Sequence, residues 1–81
     1  MRYEQNRKQV ENFLYNIAWL RKHHGYSKKR MAALLNISVW RLTQMERGIL
    51  PPTTDVGVVI RIYQVFGVRP SDQFVKITDK K

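Results

Sequence analysis

The stretch that most constrains this chain runs from Tyr26 to Gly48, where two serines each precede a short amphipathic segment and Asn36 lies between them. Ser27 is an N-cap residue: its hydroxyl can accept from one of the amides that a helix start leaves unpaired. Met31, Leu34 and Leu35 then make the apolar face of a two-turn helix. Asn36 falls where the backbone must turn through a left-handed conformation, which Asn tolerates best after Gly. Ile37 drops inward at the turn, Ser38 caps the next helix, and Gly48 ends it. That helix buries Leu42 and Met45 and leaves Trp40, Arg41, Thr43, Gln44 and Arg47 outward. Two short helices joined by about three residues result.

The rest of the chain reads as support. Val10, Phe13, Leu14, Ile17 and Leu20 fall on one face of a helix that starts near Asn6 or Arg7 and stops at Gly25. Ile49 to Thr54 holds Pro51 and Pro52 and reads as a rigid loop, with Thr54 as the next cap. A fourth helix is expected over Asp55 to Phe66, burying Val56, Val59, Ile60, Tyr63 and Phe66. Its β-branched density also fits a strand, but its length, the Asp at its start and Gly67 after it favour helix. Pro70 opens a last short helix reaching Phe74 or Val75, and Ile77 to Lys81 reads as a loose basic tail. The expected architecture is an all-α bundle of about five helices in a single domain over 1–81, with its core at about 9–75 and flexible ends at 1–6 and 76–81.

A chain of 81 residues buries only about 60 to 65 per cent of its unfolded surface, so stability is marginal. With no cysteine, disulfides and thiolate metal sites are excluded. No apolar run approaches a membrane span, and the N-terminus has no signal-peptide core, which gives a cytoplasmic protein as the expectation. His23 and His24 are adjacent on a helix, point about 100° apart, and cannot share a metal ion. Six carboxylates without a nucleophile, base or metal-ligand arrangement leave no catalytic set, so neither an enzyme nor a cofactor is expected. The net charge of +9 favours polyanionic partners, nucleic acid before an anionic membrane surface, although basic residues also serve solubility alone.

Several fragments, in order and at matching spacing, carry a resemblance. They are Ile17-x-x-Leu20-Arg21-x-x-x-Gly25-Tyr26-Ser27, Met31-Ala32-x-x-Leu35-Asn36-Ile37-Ser38, and Leu42-x-x-Met45-Glu46-Arg47-Gly48, followed by Pro52 and a helix ending at Gly67. Over roughly Phe13 to Phe74 the chain resembles the lambda-repressor-like, Cro and C1-type helix-turn-helix domains of the XRE family. The second and third helices are then the helix-turn-helix. Ala32 keeps them close, since a larger side chain would prise them apart.

The resemblance implies a sequence-specific binder of double-stranded DNA, a small transcriptional repressor working as a homodimer without chemistry. It places base reading on Val39, Trp40, Thr43 and Gln44, with Lys28, Lys29, Arg41 and Arg47 at phosphates. It also implies an ion pair between Arg21 and Glu46. Gln44 can offer adenine both a donor and an acceptor. Val39 and Trp40 depart from the usual polar readers. They could contact thymine methyls, or, with Ile49 and Leu50, form a protein-binding patch. A second function therefore stands beside the first: a protein-interaction module on the same fold, such as an antitoxin or a regulator-binding domain.

Overall fold

The computed structural model describes residues 2–49 and 56–79. Helix α1 spans Arg2–His24, α2 Lys28–Leu35, α3 Val39–Glu46 and α4 Val56–Phe66. After these four helices comes the single-turn α5, Pro70–Gln73, and a 3-10 turn at Ile77–Asp79. The expected bundle of about five helices is thus four substantial helices and one short one, and the described residues contain no strand. The strand alternative for Val56 to Ile62 is excluded. The Pro51-Pro52 loop, Thr54 and Asp55 lie outside the described residues.

The caps explain the helix boundaries. Ser27 Oγ accepts from the Arg30 amide at 3.1 Å and Ser38 Oγ from the Arg41 amide at 3.0 Å. Asn36 takes φ 60° and ψ 43°, in the left-handed region. From that bend its amide donates to Ala33 O at 3.1 Å, and the Ile37 amide donates to Ala32 O at 2.9 Å. The carbonyls of Ala32 and Ala33 near the end of α2 are thereby satisfied, and the chain re-enters a helix at Val39.

One core joins the helices: Phe13, Leu14, Ile17 and Leu20 of α1, Met31, Ala32 and Leu35 of α2, Leu42 and Met45 of α3, and Val58 and Ile62 of α4. Helix α4 is rotated from the expected face. Val59 and Phe66 are partly buried against the core, but Val56 is 71% exposed and Ile60 and Tyr63 are each 49% exposed. The apolar arc of α4 is broad but has one gap, where Gly57, Arg61 and Gln64 fall at i, i+4 and i+7, and the residues on the core, Val58, Val59, Ile62 and Phe66, lie away from it. Val56, Ile60 and Tyr63, at i, i+4 and i+7, instead form an outward stripe.

A polar staple fastens the C-terminal segment to α1. Asn16 is buried at 3% exposure. Its Nδ2 donates to Gln73 O at 2.8 Å and Val75 O at 2.9 Å, and its Oδ1 accepts from the Ile77 amide at 2.8 Å. One turn earlier, Asn12 Nδ2 donates to Phe74 O at 3.1 Å, and Phe13 stacks on Phe74 with ring centres 5.0 Å apart. Gln73 in turn donates through Nε2 to Val59 O and Val68 O, both at 2.9 Å, tying α5 to α4. Ile77 therefore does not open a loose tail: its amide is bonded and its side chain packs on the core. Asn16 falls three residues after Phe13 and four before Leu20, on the core face of α1. A polar residue at an apolar phase was the sequence signal for it.

Replacing Asn16 by Ala strips partners from two carbonyls and an amide at once. A loss of about 2 to 4 kcal/mol is expected from the unpaired buried groups, read by urea unfolding. Replacing the exposed Glu11 by Ala should stay within about 0.5 kcal/mol.

Candidate nucleic-acid interface

Helix α3 is built with two unlike faces. Leu42 and Met45 have 0% and 1% exposure and are locked into the core. Val39 and Trp40, in its first turn, point into solvent at 42% and 65% exposure, while Thr43 and Gln44 are half-buried beside them. Arg47, just past the helix, is exposed, as is Ile49 at 50%. Burial on one side thus fixes the rotation of the helix and delivers Val39, Trp40, Thr43 and Gln44 to its free side. The packing of α3 on both α1 and α2 sets its direction.

The basic residues divide. Lys28 Nζ lies 3.5 Å from Thr43 Oγ1, which brings the start of α2 beside the outer face of α3. Arg41 lies on the first turn of α3 and Arg47 at its end. Lys29 is not brought to this group; it lines a groove between α2 and α4 with Arg30 and Arg61. The first turns of α2 and α3 carry no acidic residue. Lys28, Lys29 and Arg30 therefore oppose the α2 dipole at a cost of some tenths of a kcal/mol each. An anion placed there would reverse that sign.

Arg21 and Glu46 hold the two ends of this arrangement together. Arg21 Nε donates to Glu46 Oε2 at 2.6 Å and Nη2 donates to Oε1 at 2.9 Å, a two-pronged pair. Its Nη1 donates to Tyr26 O at 3.1 Å. The side chains retain only 16% and 9% exposure. The hydrogen bond to Glu46, strengthened by its charge and offset by burial, raises the Arg21 pKa above the ordinary arginine value. A raised arginine contributes fully below its unfolded pKa and loses that contribution only as pH climbs through the folded one. The cation of this clamp is therefore unchanged anywhere near neutrality.

One residue near the interface escaped the sequence reading. Arg61 Nε donates to Leu34 O at 2.9 Å, fastening α4 to the end of α2. Its signal was its standing as the sole charge in α4. His23 and His24 are exposed, as expected, but are not bare: His23 stacks on Trp19 at 4.4 Å, and His24 lies 5.0 Å from Phe66 and 5.4 Å from Tyr26 between ring centres. Among the described residues no group of three or more His, Cys, Asp or Glu could hold a metal. None of their helices is long and apolar enough to cross a membrane.

A family model described as helix-turn-helix matches residues 17–73, well over half the chain. It begins at the buried Ile17 of α1 and ends at Gln73 of α5. No curated protein and no solved structure matches significantly.

Replacing Glu46 by Ala leaves Arg21 mostly buried without its counter-charge. A loss of about 2 to 4 kcal/mol is expected, as for broken buried pairs, read by chemical denaturation near neutral pH. A loss under about 0.5 kcal/mol, the scale of exposed pairs, would show that the clamp is not sequestered from water.

Proposed function

The chain belongs to the lambda-repressor-like (XRE) helix-turn-helix family, and on that premise we propose that it is a sequence-specific regulator of transcription that represses by occupying double-stranded DNA. The observation that carries this reading is α3: a helix anchored by the fully buried Leu42 and Met45, whose opposite face bears Val39, Trp40, Thr43 and Gln44. A helix of this size fits the major groove, where each base pair presents its own pattern of donors, acceptors and methyl groups. Gln44 pairs with adenine, Thr43 donates or accepts, and Val39 and Trp40 pack on thymine methyls. Lys28 and Arg47 flank the helix, Arg41 lies within it, and all three take phosphates, setting its register without reading sequence. Phosphate at the start of α2 also relieves the cost of the cations there.

Family members commonly act as two-fold dimers, which spaces two recognition helices about 34 Å apart on one side of the duplex. The stripe of Val56, Ile60 and Tyr63 supports that assembly here, because it is apolar and uncharged on a chain whose net charge of +9 otherwise repels a second copy. The protein acts in the cytoplasm and needs no cofactor.

A second reading, a protein-interaction module, is favoured by one observation. Trp40 is 65% exposed, and a solvent-facing Trp beside Val39 is the kind of anchor that protein interfaces bury.

Titration against a mixed duplex pool at varied salt tests the DNA reading. Log affinity should fall linearly with log salt, and Lys28→Ala or Arg47→Ala should each reduce the slope by about one. Absence of saturable binding at low salt would overturn it. On a duplex selected for tight binding, Gln44→Ala should cost about 1 to 3 kcal/mol and little on random DNA. Trp40→Ala that releases a protein partner while DNA affinity holds would favour the second reading.

A further inference from the structure

An open groove of about 430 Å³ lies between α2 and α4, lined by Ser27, Lys29, Arg30, Ala33, Leu34 and Arg61. Three of these six are cations and none is a carboxylate. The lining contains no residue of α3, so the groove is separate from the reading face.

Two of the cations are already held in place. Arg61 is fixed by its Nε bond to Leu34 O at 2.9 Å, and the Arg30 guanidinium carbon lies 5.4 Å from the centre of the Tyr26 ring. A guanidinium that is fixed beforehand loses less side-chain entropy on meeting a ligand, and its forked edge matches phosphate oxygens. Lys29, exposed at the rim, adds a mobile point charge. Clustered like charges repel one another, and an anion among them would relieve that repulsion. Ala33 and Leu34 supply an apolar wall, and the volume falls within the range of about 300 to 1,000 Å³ typical of small-molecule sites.

We infer that this groove is a phosphate-binding site that takes a small phosphorylated ligand of about nucleotide size. The phosphate sits between Lys29 and Arg61, and the ligand's less polar part lies over Ala33 and Leu34. A DNA backbone offers the same chemical group, so the test must separate the two sources. The inference does not rest on the DNA reading of α3, since no residue of that helix lines the groove and the probe that carries it is a nucleotide.

The full chain, labelled with ¹⁵N, is titrated with a nucleoside monophosphate, with inorganic phosphate and with a short mixed duplex, at about 0.15 M salt to screen diffuse attraction. The nucleotide should shift the amides of residues 29–34 and of Arg61 and leave those of α3 unmoved. Lys29→Gln should weaken nucleotide binding about tenfold, in keeping with the loss of a charged hydrogen bond. Lys22→Gln, an equal loss of charge at an exposed position of α1, should change it less than twofold. Arg61→Lys should weaken it as well, because the fork is lost while the charge stays. Lys29 lies outside the core, so its variant keeps the test informative if the Arg61 change disturbs the fold. Shifts spread evenly over all basic surfaces, or equal losses in the Lys29 and Lys22 variants, would overturn the site. Perturbation of the groove by duplex but not by nucleotide would overturn the small-ligand assignment and give the groove to DNA phosphates.

Discussion

The clamp made by Arg21 is the constraint on which the geometry of the interface depends. One guanidinium reaches Glu46 at the end of α3 and the carbonyl of Tyr26 in the link between α1 and α2. It therefore ties together the three segments whose relative placement decides where the outer face of α3 points. Hydrophobic burial of Leu42 and Met45 sets the rotation of α3, but burial by itself is not directional. The two-pronged ion pair is directional, and its partners are largely shielded from water, with 16% and 9% of their side chains exposed.

Much of this was legible in the sequence because the relevant signals are local. Ser27, Asn36, Ser38 and Gly48 act on backbone groups within a few residues of themselves, so their consequences can be read without knowing the tertiary fold. The rotation of α4 was harder to read, because the polar gap that marks it is narrow. With Val56, Val58, Val59, Ile60, Ile62, Tyr63, Val65 and Phe66 in eleven positions, the apolar arc is wider than the core can take, and only Gly57, Arg61 and Gln64 interrupt it. Val58 and Ile62 take the core, and the bonds of Arg61 to Leu34 O and of Gln73 to Val59 O hold that rotation. Neither bond can be inferred from spacing, since each joins a side chain to a backbone carbonyl that any residue supplies.

The candidate site divides along the same line. That Trp40, Thr43 and Gln44 lie outward followed from the two buried residues of α3, a local matter of helical phase. That Lys28 and Lys29 part company is a matter of the same helical phase, although the expectation placed both at phosphates. Successive helix residues diverge by about 100°, so Lys28 is carried towards Thr43 while Lys29 and Arg30 turn towards α4. A run of like charges on a helix start is therefore two surfaces rather than one. Their neighbours decide what each can bind: a hydroxyl on the reading helix in one case, an apolar wall and a fixed arginine in the other.

The C-terminal segment shows how a small core is extended without cysteine. Phe74 stacks on Phe13, and Asn12 and Asn16 bond the backbone on either side of it, so a segment too short to fold alone is held by α1. Asn16 sits at a helical phase where an aliphatic residue would bury more apolar area. What it supplies instead is a fixed address for Gln73, Val75 and Ile77, with three hydrogen bonds that an aliphatic side chain could not make. In a chain this short, fixing the last turn to the first helix closes the bundle around Ile17 and Ile62. It also leaves α3, at the other end of the clamp, with its outer face uncovered.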